Sequence, residues 1–419
     1  MRPLRIALLS YRSKPHCGGQ GVYVRHLSRE LAALGHHVEV FSGQPYPELE
    51  DVASGGPHLR ALPSLDLYRD DDPFRTPRPS EFRDGVDLLE VATMWTGGFP
   101  EPLTFSLRAA RELLARRGEF DVVHDNQSLG YGLLRLVRAG VPLVATLHHP
   151  ITIDRRHEVA AAPSVVKRMS LRRWYGFTRM QGRVARRLPT LITVSESSAR
   201  DIIDEFGVRR NRVRVVPVGV DTEVFRPSSA PRVPGRIVAV SSSDSPMKGA
   251  RVLLEAVAKL RTERDVELVM VGRPRADGPV VRAVDELNLA DAVRFVTGLP
   301  DPALAGLFGS AEVAVVPSLY EGFSIPAVEA MACATPLVAS RGGALPEVVG
   351  DCGVLVEPGN PSDLADALAA LLDDEPRRRR LGAAGRRRVE ERYTWRATAA
   401  ATAEVYAETL AGRVAEPSC

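Results

Sequence analysis

The chain has 419 residues, more than the ~250–300 at which a single hydrophobic core stops growing, so two domains are expected. Hydrophobic residues make up 44% and charged residues 26%, which excludes a disordered, collagen-like or disulfide-scaffold protein. The 55 basic and 52 acidic residues leave a net charge of +3, which gives no reason to expect nucleic acid or another bulk polyanion as partner. The four cysteines (Cys17, Cys333, Cys352, Cys419) have neither zinc-ligand nor framework spacing and suit a reducing compartment. No apolar run approaches the ~18–20 residues of a membrane span. The expectation is a cytoplasmic protein, or one held peripherally at the inner membrane face.

Leu4 to Ser10 is an apolar run that reads as a buried strand. A loop containing Gly18 and Gly19 follows, then Val24, Leu27, Leu31 and Leu34 at helical spacing, closed by Gly35. His37 to Ser42 alternates as a second strand, giving a strand–helix–strand opening with a glycine-rich first turn. Residues 44–85 are rich in Pro, Asp and Arg, lack periodicity and read as a long surface loop. Further strands are expected at 121–124, 141–147 and 190–194, with helices near 128–139 and 197–206.

The pattern restarts with a strand at 236–240, a polar loop at 241–249 and an amphipathic helix at 250–260. Strands at 266–272, 293–295, 313–316 and 336–339 continue it. Two successive strand–helix series imply an α/β protein of two facing doubly wound, Rossmann-like domains with ligands in the crevice. The boundaries are 1–214, 215–392 and a C-terminal helical segment, 393–419, that crosses back to the first domain. Residues 389–410 read as one helix, and the basic run Arg377–Arg380 with Arg386–Arg388 as its solvated approach.

Glu321 and Glu329 lie eight positions apart. A strand ends near Pro317, and Pro326 suits the first turn of a helix. Glu321 then sits in the loop at the strand's carboxyl end, and Glu329 one turn into the helix. The N–H groups of Gly322, Phe323 and Ser324 point to where α/β sheets bind phosphate. One carboxylate can accept hydrogen bonds from sugar hydroxyls and the other from a ribose. The plainer alternative is that Glu329 only solvates its helix.

This stretch resembles the E-x7-E signature of retaining GT-B glycosyltransferases of family 4, the phosphatidylinositol mannosyltransferase-like enzymes among them. Gly18-Gly19, Pro217-Val218-Gly219-Val220-Asp221, Ser245-Pro246-Met247-Lys248-Gly249, Gly342-Gly343-Ala344-Leu345-Pro346-Glu347 and Tyr393-Thr394-Trp395 extend the resemblance along the chain. It implies a hexosyl transfer from a UDP- or GDP-sugar to an acceptor hydroxyl, with retention; neither a cofactor nor a metal is expected. Glu321 and Lys248 are the implied catalytic residues, Lys248 neutralising the departing diphosphate. Gly18, Gly19, Ser243, Lys248, Gly298, Leu299, Gly322, Phe323, Ser324 and Glu329 form the implied donor site. The Arg that the family carries five or six residues before this Lys is absent, with Ser242 and Ser243 in those positions. Arg273 is a candidate replacement. A non-catalytic sugar-nucleotide or glycan-binding module on the same fold is the alternative, and an epimerase fits the E-x7-E context less well.

On the acceptor side, the histidine that phosphoinositol-directed members carry two positions after the strand ending at His124 is Asn126 here. Asn126 can hydrogen-bond a sugar hydroxyl but cannot carry a proton charge. His148 and His149 follow the next strand and read either as sugar contacts or as a capped strand end. Residues 155–187 contain ten Lys or Arg and one acidic residue, Glu158. As one helix they align Arg168, Arg172, Arg179, Arg183 and Arg186 opposite Trp174, Phe177, Val184 and Leu188. That stripe, with Arg155, is a solvated face, an anionic-acceptor site including Arg172 and Arg179, or a contact with a lipid-linked acceptor at a membrane. Trp95 is a further acceptor candidate. Asp70-Asp71-Asp72 superficially offers a metal-binding D-x-D but reads as solvated loop charge.

Overall fold

The computed structural model describes residues 2–13, 19–50, 55–69, 71–240 and 245–414. Gly18, Asp70, Ser242 and Ser243, singled out above, lie outside the described residues. The chain divides into two compact units. Unit 1 comprises Met1–Val194, Ser198–Val216 and Thr398–Cys419; unit 2 comprises Ser195–Ser197 and Pro217–Ala397.

Unit 1 runs β1 (Arg5–Ser10), α1 (Gly19–Ala33), β2 (His37–Ser42), β3 (His58–Ala61), α2 (Gly85–Trp95), α3 (Glu101–Ala115), β4 (Val122–Asn126) and α4 (Tyr131–Arg138). It continues with β5 (Leu143–Thr146), α5 (Ile151–Ala161), α6 (Val165–Trp174), α7 (Phe177–Ala185), β6 (Thr190–Thr193), α8 (Glu196–Phe206) and β7 (Val213–Val215). The sheet order is β3-β2-β1-β4-β5-β6-β7, with every pair parallel. Parallel strands covered on both faces need apolar runs rather than alternation. Accordingly β4, β5 and all but the first residue of β1 are fully buried.

Unit 2 runs β8 (Arg236–Val240), α9 (Ala250–Leu260), β9 (Glu267–Val271), α10 (Pro279–Glu286), β10 (Val293–Val296), α11 (Asp301–Ser310) and β11 (Val313–Val316). Then follow α12 (Ile325–Ala332), β12 (Leu337–Ser340), α13 (Leu345–Val349), β13 (Val354–Val356), α14 (Pro361–Asp373) and α15 (Glu375–Arg392). Its order, β10-β9-β8-β11-β12-β13, is again all parallel. Both sheets reverse direction beside their first strand, between β1 and β4 and between β8 and β11. In doubly wound sheets ligands bind at that switch, beyond the strands' carboxyl ends. The last helix, α16 (Trp395–Val414), belongs to unit 1 from Thr398 onward. There the Tyr406 hydroxyl lies 2.6 Å from His124 Nδ1 on β4.

The structure corrects several sequence expectations. Residues 155–187 are three helices, α5 to α7, so Arg172 on α6 and Arg179 on α7 share no continuous helical stripe. Residues 44–85 are not simply surface loop. They contribute β3, and Leu65, Leu67 and Tyr68 form a small buried cluster with Val91 and Met94, against which Trp174 packs. The tail is two helices broken at Tyr393-Thr394, where Val220 N–H bonds the Tyr393 carbonyl at 2.8 Å.

The basic run is also not merely solvated. Arg378 is 9% exposed and donates to the Leu371 carbonyl and to Glu312. Arg386 donates to the carbonyls of Phe225 and Ala332, and Arg388 to those of Val348 and Glu347. Helix ends leave carbonyls without partners. A guanidinium with five donors satisfies several at once at the ends of α12, α13 and α14.

A second buried charge network supports α2 and α3. Arg108, 6% exposed, donates to Asp87 at 2.6 Å and to Glu90. The Arg83 side chain adds two bonds to Asp87 at 2.7 and 2.8 Å. Burial raises Asp87, but Arg83 and Arg108 outweigh it and hold the carboxyl well below the usual carboxylate range. Removing one partner of such a group leaves buried charge uncompensated. Arg108→Ala should therefore destabilise unit 1 by about 3–5 kcal/mol, read from urea or thermal unfolding. A loss under about 1 kcal/mol would show that the network is dispensable.

Candidate functional site

The unit 2 site assembles on two loops at the switch between β8 and β11. The loop after β8 ends in a 3-10 turn, Pro246–Lys248, that presents Lys248. The loop after β11, residues 317–324, carries Glu321. The two are stitched together by Leu319 N–H on the Met247 carbonyl, 2.7 Å. Lys248 Nζ lies 2.7 Å from Glu321 Oε1, with side-chain exposures of 29% and 11%. Ser318 Oγ donates to the same oxygen at 2.7 Å.

Close backbone packing makes this approach possible. Gly249 has φ +65°, and a Cβ there would meet the Pro317 carbonyl oxygen at 2.1 Å. Gly343, after β12, has φ +59° and would meet the Glu321 carbonyl oxygen at 2.3 Å. Any larger residue at either position would displace the loop that holds Glu321. The Ala344 N–H completes the support by donating to the Glu321 carbonyl at 2.8 Å.

Ser324 precedes α12 with φ +88° and ψ 84°, a left-handed conformation that a non-glycine residue holds only under constraint. The residue is 5% exposed, and its Oγ has no hydrogen-bond partner among the described residues. An orphan hydroxyl beside a helix N-terminus suits an anion, because the first N–H groups of a helix also lack partners. Glu329, on α12, is partly exposed, yet burial raises its carboxyl to a pKa of about 8, with Asp301 adding to the rise. At neutral pH without ligand it is chiefly protonated and can donate as well as accept. Gly322 is partly exposed, and buried Phe323 packs edge-on against Tyr393 at 5.5 Å. Gly298 (φ +67°) and Leu299 lie in the loop after β10. Arg273 is exposed just beyond β9.

The other predicted residues are in unit 1. Asn126 ends β4, is fully buried, and accepts His148 Nε2 at 2.8 Å while donating to the Gln20 carbonyl at 3.4 Å. Burial lowers His148 to a pKa of about 3, so the ring is neutral, and it stacks edge-on with Tyr23 at 4.8 Å. His124 is likewise neutral, lowered by burial to about 3, and is spanned by Tyr406 and Thr146. His149 instead meets Asp154 at 2.8 Å. The structure thus joins Asn126 with His148 but directs His149 elsewhere. Gly19 opens α1, and among the described residues nothing lies within 4 Å of a Cβ placed there. Trp95 is 67% exposed at the end of α2. Arg155 is partly exposed on α5, and Arg172 and Arg179 are exposed on α6 and α7. Asp71 and Asp72 flank Arg69 at 3.2 and 3.6 Å. Among the described residues no three His, Cys, Asp or Glu side chains converge as a metal site, and no helix is long and apolar enough to cross a membrane.

Sequence reasoning missed the hydroxyls of Ser318 and Ser340, the strain at Ser324 and the Tyr406–His124 contact. The signal for Ser318 was its place three residues before Glu321. For Tyr406, on a helix 282 residues away, there was none.

Two Rossmann-like units of this topology define the GT-B class of glycosyltransferases. A family model described as glycosyl transferases group 1 matches residues 221–388, and one described as glycosyltransferase family 4 matches residues 17–224. The chain is 59% identical over 411 residues to the MMP alpha-(1->4)-mannosyltransferase of Mycolicibacterium hassiacum, covering 97% of this chain and 99% of that one. It is 32% identical over 448 residues to the D-inositol 3-phosphate glycosyltransferase 2 of Catenulispora acidiphila, covering 97% and 96%. Among solved structures it resembles the sucrose-phosphate synthase of Thermosynechococcus elongatus, with a TM-score of 0.74, 27% identity and 98% and 100% coverage. The chain belongs to family 4 of the glycosyltransferases and is a glycosyltransferase of GT-B fold.

The state of Glu329 can be tested through pH. A carboxyl whose folded pKa is about 8, against an ordinary 4.5, binds more protons folded than unfolded between those values. Stability contributed by this group is therefore present below about pH 4.5 and lost as pH rises toward about 8. Melting temperatures from pH 5 to 8.5 should fall more steeply for the wild type than for Glu329→Gln, which cannot ionise. Parallel curves would place Glu329 in an ordinary solvated state.

Proposed function

We propose that the protein transfers a mannosyl group from a nucleotide-diphosphate mannose to a sugar hydroxyl, forming an α(1→4) linkage with retention of configuration. The observation that carries this reading is the 59% identity, across 97% of the chain, to an enzyme named for that linkage. The site supports it. Lys248 meets the diphosphate, Ser324 Oγ and the start of α12 add anion contacts, and Arg273, which has no ion-pair partner among the described residues, stands in for the family's missing Arg. Glu321 holds the mannosyl hydroxyls and Glu329 the ribose.

In the proposed front-face step the bond between the sugar's C1 and the β-phosphate oxygen breaks. A bond from C1 to the acceptor oxygen forms on the same face. The acceptor proton passes to a β-phosphate oxygen, so the products are a nucleoside diphosphate and the glycoside. Lys248 and the helix N–H groups act on the charge that grows on the phosphate, where preorganised donors contribute most. The proposed step uses no metal.

On the acceptor side, partly exposed His148, neutral and held by buried Asn126, offers a hydrogen-bonding group without charge, which suits a sugar hydroxyl. The relatives named for D-inositol 3-phosphate favour a second reading, an anionic acceptor. In that reading Arg155, Arg172 or Arg179, none of which has an ion-pair partner among the described residues, meets its phosphate.

The test is a donor panel of GDP-mannose, UDP-mannose, UDP-glucose and GDP-glucose with neutral mannosides and with inositol phosphate as acceptors, run with and without EDTA. Transfer from a nucleotide mannose to O4 of a mannoside, α by NMR and insensitive to EDTA, is the expected result. A β product, a requirement for added divalent cation, or turnover only on inositol phosphate would each overturn the corresponding part of the proposal.

A further inference from the structure

Glu321 Oε1 accepts two hydrogen bonds, from Lys248 Nζ and from Ser318 Oγ, each 2.7 Å long. Glu321 Oε2 accepts none among the described residues. One oxygen is thus held and the other is open to a ligand. The two holders differ in kind. Lys248 is a flexible cation, 29% exposed, that an entering diphosphate attracts. Ser318 is 2% exposed and has no such freedom. Its own backbone carbonyl accepts the hydroxyl of Ser340, itself 1% exposed, at the end of β12. A Cβ on Gly342 would meet that same carbonyl oxygen at 2.5 Å. The hydroxyl that reaches Glu321 therefore stands on the central sheet of unit 2.

We infer that Ser318 is a positioning residue that keeps the Glu321 carboxylate aimed at the sugar once the donor's diphosphate has drawn Lys248 away. This inference rests on the reading of Glu321 and Lys248 given above. In the free protein the two holders are redundant. With the diphosphate bound, the Ser318 hydroxyl is the remaining hydrogen bond on Oε1, so its contribution appears when the sugar reacts. It appears also when a nucleoside diphosphate binds alone, because that too draws Lys248 away, but not in the free protein. A serine that only stabilised the loop would lower the melting temperature of the free protein and would act with Glu321 absent.

The experiment measures four proteins: wild type, Ser318→Ala, Glu321→Ala and the double variant. Each is assayed for transfer from whichever of GDP-mannose and UDP-mannose turns over, for binding of GDP and UDP by calorimetry, and for melting temperature. Ser318→Ala should lower kcat about tenfold, the size of a lost hydrogen bond to a charged group, and weaken GDP or UDP binding, with the melting temperature of the free protein unchanged. In the Glu321→Ala background the same substitution should cost less than about twofold, since residues acting through one another are not additive. Full activity of Ser318→Ala, additive losses, or a lowered melting temperature of the free protein would overturn the positioning role while leaving the assignment of Glu321 intact. Full activity of Glu321→Ala would instead overturn that assignment and the inference with it. Should Ser318→Ala not fold, Ser318→Cys, close in shape and only a weak donor, carries the same comparison.

Discussion

The contact between Lys248 and Glu321 couples the two loops at the switch of unit 2. A carboxylate 11% exposed needs compensation, because desolvating charge is costly unless it is paired and hydrogen-bonded. The chain supplies that compensation from the loop after β8, through Lys248, and from its own loop, through Ser318. The pair is also incomplete in a useful way. It leaves one carboxylate oxygen without a partner among the described residues, and its cation is the group that meets the diphosphate in the proposed reaction. In the proposed reaction the resting structure already contains the exchange that donor binding requires. Lys248 passes from carboxylate to phosphate, and Glu321 passes from lysine to sugar.

Backbone shape enforces this arrangement as much as charge does. Gly249 and Gly343 stand where any side chain would strike the carbonyls of Pro317 and Glu321. The family motifs around them are thus packing constraints, which place two loops within hydrogen-bonding reach. Ser324 holds a left-handed conformation that costs of order 1–3 kcal/mol for a non-glycine residue, and its buried hydroxyl has no partner among the described residues. Both costs are explicable if a ligand phosphate occupies that corner. Unit 1 shows the opposite strategy. Its polar residues at the end of β4 are fully buried, neutral at histidine, and bonded in a chain from Asn126 to His148 and from Thr146 through His124 to Tyr406.

The fold was legible because its signals are local. Apolar runs of four to six residues, separated by helical periodicity, reveal parallel strands directly, and two such series imply two sheets. The E-x7-E stretch was legible because Pro326 and the preceding strand fix where each glutamate falls. Less legible was anything decided by tertiary contact. Nothing local distinguishes the solvated Arg379 from Arg378, which caps carbonyls of α14, or shows that Tyr68 leaves its polar surroundings to pack with Trp174. The single helix read across 155–187 failed at Tyr175-Gly176, where Gly176 N–H closes a turn on the Arg173 carbonyl at 3.0 Å. Helical periodicity alone does not mark where one helix ends and the next begins.

The central claim is that Glu321 competes with the donor's diphosphate for Lys248. The most direct measurement is calorimetric titration of GDP and UDP into the wild type and Glu321→Gln, free of any acceptor or sugar. A neutral amide cannot hold the ammonium as an ion pair. The account predicts that whichever nucleotide binds will bind about 3–10-fold more tightly to the variant, the scale of a partly exposed pair released. The gain should be lost when Lys248→Ala is added. Unchanged or weaker binding to Glu321→Gln would contradict the account and leave the ion pair a structural contact only.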